Sequence, residues 1–252
     1  MIKYKTDYPL DAPERTLFHR EIIRKKRPLR RLYEDWYSIF LDELPSLPGE
    51  IFIELGSGGG FLKDLEPRIL SSDVIDLQTN DLTFSALEMP FGNSSVGGIF
   101  MVDTMHHIPD SRQFLKETER VLIPDGGKMI MIEPANTWWG RFIYSNFHHE
   151  PFDPRGGWTI PPSGPLSGAN GALPWIVLFR DRHLFDAEFP NLKIESIDFI
   201  NPFTYLITGG VSHMAFLPDF AFPVIRWMDR IAPRITPQLS MFMVVKILRK
   251  EP

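Results

Sequence analysis

The chain has 252 residues, of which 43% are hydrophobic, enough to bury one sizeable core. A net charge of −5 gives no global attraction to nucleic acid, and the lack of cysteine excludes disulfides and thiolate metal sites. The opening Met-Ile-Lys-Tyr-Lys-Thr-Asp has no apolar core of a secretory signal, and no run of about 18 apolar residues exists to span a membrane. The expectation is a cytoplasmic protein without nucleic-acid partners.

Residues 12–44 read as one or two helices, with Pro28 marking the break. Phe18, Ile22 and Ile23 suggest one apolar face; Leu29, Leu32, Trp36, Ile39 and Phe40 suggest another. Ile51–Glu54 predicts a first strand, followed by a short helix from Phe61 to Leu65 that Pro67 ends. Strands are expected at Ile69–Ile75, Asp81–Phe84 and Val96–Val102, the last almost wholly apolar, as a strand buried on both faces should be. Asp110 and Gln113 have capping-box spacing before the stripe Phe114, Leu115, Thr118, Val121 and Leu122. Pro124-Asp125-Gly126-Gly127 stops that helix, and Lys128–Glu133 predicts a fifth strand. Strands alternating with helices imply a doubly wound, mostly parallel sheet.

After Pro134 the rhythm changes. Residues 135–173 are rich in aromatics and turns, with His148-His149, and read as a long lid. A helix near Arg180–Glu188, a strand near Leu192–Ile200, an apolar insertion over 203–233 and a final strand at Leu239–Leu248 complete the chain. Val224, Ile225, Met228 and Ile231 share one helical face of that insertion. It reads as core, a dimer face or a surface for a lipid-like acceptor, with core or acceptor pocket favoured. The basic run Arg24-Lys25-Lys26-Arg27, with Arg30-Arg31, reads as a solvated face; contact with an anionic acceptor or membrane surface is the alternative.

The first strand ends in Glu54 and runs into Gly56-Ser57-Gly58-Gly59-Gly60. Such a turn opens a ligand crevice at the carboxyl edge of a parallel sheet. A phosphate-binding P-loop needs Lys-Ser/Thr after its last glycine, where Phe61-Leu62 stands. A dinucleotide fingerprint would need glycine at 61, and Phe61 would spoil the close packing that glycine permits. What remains is an acid followed by alternate glycines, Glu54-x-Gly56-x-Gly58-x-Gly60. With Met89-Pro90-Phe91, His106-His107-Ile108-Pro109-Asp110, Arg120-Val121-Leu122, Gly126-Gly127 and Glu133-Pro134 in order, residues 50–134 resemble the class I S-adenosylmethionine-dependent methyltransferases.

The resemblance implies a seven-stranded Rossmann-like fold in a single domain over 1–252. Cap helices would occupy 1–49, the cofactor-binding half 50–134, and the lid, acceptor pocket and closing strands 135–252, with insertions after strands five and six. It implies S-adenosylmethionine as cofactor. Glu54 would orient the glycine loop of Gly56, Ser57, Gly58 and Gly60; a strand-end acid satisfied by nearby backbone is the plainer reading. Asp73 would accept the ribose hydroxyls, with Asp76 as runner-up. Ser85 and Ala86 stand where the family has an acid for the adenine, a departure that leaves a hydroxyl or backbone group to serve. Asp103 and Thr104 would line the methionine side. Tyr33, Trp36 and Tyr37 would either close over the cofactor or pack against the sheet.

Methyl transfer from a sulfonium is an in-line displacement that needs alignment rather than a metal. His106 and His107 are the candidate catalytic residues, as a general base or in a positioning role. His148 and His149 are weaker candidates, and adjacent His-His-Glu150 residues are not expected to converge on one metal. The expected function is methyl transfer to a small-molecule, lipid-linked or sugar-linked acceptor, with O-methylation preferred. The alternatives are an NAD(P)-dependent oxidoreductase or an inactive protein that keeps the fold. Peripheral membrane contact stays open.

Overall fold

The computed structural model describes residues 4, 6–148, 150–161 and 163–251. Two helices lead, α1 (Pro13–Lys25) and α2 (Arg27–Glu43), with the break at Lys26, two residues before Pro28. Pro28 sits in the first turn of α2, where its missing N–H is no loss, so the interruption falls on Lys26 in extended conformation. Lys26 departs from the solvated face expected for the basic run. It is buried and donates to the carbonyls of Gly210 (2.7 Å) and His213 (2.5 Å), and burial pulls its ammonium down to about 8. Leu29, Leu32, Trp36, Tyr37 and Phe40 form the fully buried face of α2. Each such side chain contributes roughly 1.5–3 kcal/mol by leaving water.

Seven strands follow: β1 (Ile51–Leu55), β2 (Ile69–Asp73), β3 (Leu82–Thr83), β4 (Val96–Val102), β5 (Lys128–Pro134), β6 (Leu192–Ile200) and β7 (Phe242–Arg249). Their order is β3-β2-β1-β4-β5-β7-β6. β1 to β5 run parallel, while β7 is antiparallel to both β5 and β6. β2 and β3 are shorter than expected. Helices α3 (Leu62–Leu65) and α4 (Ser111–Val121) connect strands, and the Asp110 carboxylate caps α4 by accepting from the Gln113 N–H at 3.0 Å. The sheet is sandwiched between two apolar clusters, one centred on α2 and the other on α4 and the segment around Leu173–Leu178.

The stretch read as one long lid is divided. Residues 138–147 form α5 (Trp138–Phe147), capped by the Thr137 hydroxyl on the Gly140 N–H. Irregular chain follows, then α6 (Leu173–Trp175), a π turn over 176–180, and α7 (Arg182–Glu188). Trp158, taken as part of that lid, is buried in the core and donates its indole N–H to Asp181. After β6 come α8 (Thr204–Thr208) and α9 (Phe222–Ile235). No helix among the described residues is long and apolar enough to cross a membrane.

Strand order reverses between β1 and β4, and the carboxyl ends of strands flanking such a switch point part to leave a crevice. The candidate site lies there.

Candidate active site

The loop after β1 is stitched to β2 by backbone and hydroxyl bonds. Ser57 N–H donates to Ser72 O at 2.9 Å, and Ser72 N–H donates to Ser57 Oγ at 3.1 Å. Gly58 N–H donates to Asp73 Oδ2 at 3.0 Å, while Ile75 N–H donates to Asp73 Oδ1 at 2.9 Å. Gly56 and Gly58 have φ of +64° and +42°, conformations that favour glycine. A Cβ on Gly56 would stand 2.5 Å from Thr104, so the missing side chain lets the ends of β1 and β4 meet. At Gly58 the nearest atoms to a Cβ are 3.6 and 3.7 Å away, and the backbone is exposed to a cavity.

That cavity has a volume of about 580 Å³, within the roughly 300–1,000 Å³ of small-molecule sites. Gly56, Gly58, Asp73, Ser85, Ala86, Asp103, Thr104 and His107 all line it. Glu54, Ser57, Gly60, Asp76 and His106 do not. Gly60 is needed for packing, since a Cβ there would collide with the Tyr37 hydroxyl. Phe61 turns away from the cavity and packs edge-on against Tyr37 at 5.1 Å. Tyr33, Trp36 and Tyr37 likewise pack in the α2 cluster, whereas Thr16 of α1 reaches the cavity wall. Another wall is formed by residues 160–161, 163–166 and 168, a segment that Asp11 holds by accepting from the Leu166 N–H (2.7 Å) and Ser167 N–H (2.9 Å).

Glu54 lies beneath the glycine loop, near Tyr37 and Arg20. Burial pushes its carboxyl up to about 8, against hydrogen bonding from Ser57. Asp103, at φ +51° on the cavity wall, is also raised to about 8 by desolvation, with His106 pulling down and Glu133 and Glu150 pushing up. Asp73 is raised by burial as well, against the N–H groups of Ile75 and Gly58.

The paired histidines are in opposite states. His106 is 2% exposed and lies between two carboxylates, Nδ1 to Glu133 at 2.7 Å and Nε2 to Glu150 at 3.4 Å. Burial favours its neutral form, but Glu133 and Glu150 outweigh it and hold the ring protonated. His107 faces the cavity, its Nδ1 3.0 Å from Gly168 O. Burial and charged His106 drive it down to about 4, so it is neutral at pH 7, with Nδ1–H donating and Nε2 unprotonated. Glu133 also accepts from the N–H groups of Thr104 (2.9 Å) and Met105 (2.6 Å), fixing the turn that ends β4.

The sequence reading missed Glu133, Glu150 and Asp11 as parts of the site. Glu133 had a visible signal, an acid ending the strand beside the His-His strand. Glu150 enters that reading only as a metal ligand beside His148 and His149, and Asp11 carries no signal. His106, His107 and Glu150 bring ligand-type atoms within 4.8 Å of one another, as do Asp103, His106 and Glu133. Both sets depend on His106, whose two nitrogens already face carboxylates. His148 approaches Glu150 at 3.7 Å, and His149 lies outside the described residues.

Residues 54–130 match the family described as the methyltransferase domain. No curated protein matches the chain. Among solved structures, the chain is similar to geranyl diphosphate C-methyltransferase from Streptomyces coelicolor A3(2), with a TM-score of 0.52, 13% identity, and 95% of this chain and 86% of that one covered. It is also similar to the methyltransferase in a complex with the Haloferax volcanii Trm112 methyltransferase activator, at TM-score 0.55 and 13% identity over 96% and 97% of the two chains. The [4+2]-cyclase SpnF is a third, at TM-score 0.52 and 11% identity over 86% and 81%. At these identities the likeness speaks for the fold alone, and SpnF shows that the fold also houses other chemistry. The match from Glu54 to Ile130 identifies that stretch as a methyltransferase domain, carried here on the seven-stranded sheet.

Proposed function

We propose that the cavity at the β1/β4 switch point binds S-adenosylmethionine and that the protein transfers its methyl group to a hydroxyl of a small, lipid-linked or sugar-linked acceptor. One observation carries this reading: among the described residues the cavity wall holds two carboxylates, Asp73 and Asp103, and no lysine or arginine. Such a wall suits a ligand that carries a cation and no phosphate. It is a poor seat for the pyrophosphate of a nicotinamide dinucleotide, which disfavours the oxidoreductase alternative. The bare backbone at Gly58 supplies the close approach that a bulky ligand needs.

When bound, the donor supplies an activated methyl group on a positively charged sulfur. Asp73 accepts the ribose hydroxyls with the lone pairs left after its bonds to Gly58 and Ile75. Ser85 and Ala86 border the adenine, and Asp103 faces the charged end. Glu54 and Ser57 act from behind by fixing the loop. His107 Nε2 accepts a hydrogen bond from the acceptor hydroxyl and orients it, and Glu150, 3.8 Å away, stabilises the imidazolium formed if the proton transfers. His106 is the positioning partner, since it lines no part of the cavity. The same wall disfavours phosphorylated acceptor groups inside the cavity, so the reacting end is neutral.

Titration calorimetry with S-adenosylmethionine and with NADH tests the donor. Binding of the first alone is expected, and binding of NADH alone would overturn the reading. Incubation with labelled donor and cell extract, read by mass spectrometry, then identifies the acceptor and the atom methylated.

A further inference from the structure

Helix α9 presents its apolar side outward. Its inner face carries Phe222, Asp229 and Ala232, and Asp229 clasps the start of α8 by accepting from the N–H groups of Phe203 (2.8 Å) and Thr204 (3.1 Å). The opposite stripe leaves Trp227 62% and Ile235 77% exposed, with exposed Val224 on the same side, and Phe220 in the turn just before α9 is 84% exposed. The stripe continues onto α5, whose N-terminal Trp138 N–H donates to Gln238 beyond the end of α9. Exposed Trp138 and Phe147 extend it there.

Arginines of one sign border this stripe. Arg226, Arg230 and Arg234 recur every four residues along α9. Arg31 of α2 joins Arg226 and Arg230 around a recess of about 210 Å³, whose floor includes Phe222 and Trp227. Asp35 pairs with Arg226, but Arg31 and Arg234 have no carboxylate partner among the described residues. This cationic rim stands on a chain of net charge −5.

We propose that α9 and α5 seat the protein on an anionic lipid bilayer, with α9 lying in the interface plane and the Arg31–Arg226–Arg230 recess taking a lipid phosphate. Apolar and aromatic side chains flanked by guanidinium groups are the chemistry of an interfacial helix, where tails receive the former and headgroups the latter. A second copy docked with its α9 antiparallel to this one would set one row of arginines against the other. The inference does not rest on the donor reading, since the assay below needs neither donor nor acceptor.

Flotation of the full chain with vesicles tests it, comparing phosphatidylcholine alone with about 30% phosphatidylglycerol added, at about 0.1 and 0.5 M salt. At least about tenfold more protein should float with the anionic vesicles at low salt, and salt should reduce that share. Trp227→Glu and Arg230→Glu should each abolish flotation while leaving the melting temperature within a few degrees of the parent. Inorganic phosphate alone should not substitute for vesicles in protecting Trp227 from a water-soluble quencher. Three results would overturn the proposal: no flotation at low salt, flotation indifferent to both substitutions, or a dimer by light scattering that Trp227→Glu dissolves.

Discussion

The two walls of the cavity treat charge in opposite ways. On the β1–β2 side, Asp73 and the glycine loop are tied by backbone N–H groups, and the negative charge is left facing the cavity. On the β4–β5 side, Glu133 and Glu150 clasp protonated His106 off the cavity wall, and neutral His107 is the histidine presented to the cavity. The first wall is built to attract a cation; the second is built to hold its shape. Asp103 sits at the seam, on the cavity but within the field of His106, Glu133 and Glu150.

Substitutions that separate affinity from stability test this division. The largest effect is expected at Glu133→Ala, which strands the N–H groups of Thr104 and Met105 and leaves a charged His106 with one partner fewer. Breaking a buried pair of this kind costs roughly 3–5 kcal/mol. Denaturant unfolding should show that loss, and an unchanged midpoint would remove the buried knot from the account. Gly58→Val should act the other way round. A branched side chain at φ +42° projects into the cavity, and donor affinity should fall about 100-fold or more, equal to about 2.7 kcal/mol. Calorimetry checks it; the strain itself costs only about 1–3 kcal/mol of stability.

The ribose acid gives a smaller contrast. Asp73→Ala should weaken donor binding about tenfold or more, losing hydrogen bonds to a charged acceptor of roughly 1.5–3 kcal/mol. Asp76→Ala should change it less than about twofold, because Asp76 is off the cavity wall. The reverse order would move the ribose to the other acid.

How much of this was legible follows from how local each signal is. The glycine loop, the Asp110 cap and the β1-to-β5 alternation are written within a few adjacent residues, and each appears where expected. Glu133 reaches His106 only because parallel β4 and β5 pair Val102 with Ile132, a register no local pattern encodes. Glu150 arrives through irregular chain after α5, so its meeting with the histidines is a product of tertiary packing. Helix α5 was hidden by its composition. Trp138, Trp139, Phe142, Tyr144 and Phe147 lack the polar face by which a surface helix is recognised, because part of that face is left apolar and exposed. Lys26 went unread for the converse reason, a buried lysine inside a run that looks solvent-facing.

The seam residue yields the subtlest prediction. With Asp103 raised to about 8 by burial, its carboxyl is mostly protonated at pH 7 in the free protein. A bound sulfonium favours the ionised form and lowers that value, so binding must release a proton. The sign follows from linkage: donor affinity rises with pH up to about 8, by at most roughly tenfold per pH unit, and then levels off. The demethylated product has lost the positive sulfur, so its affinity should vary far less over the same range. Calorimetry in buffers of different ionisation enthalpy counts the proton directly, and Asp103→Asn should abolish its release. Equal pH dependence for donor and product would mean that Asp103 does not sense the sulfur, and that the methyl group lies against another part of the wall.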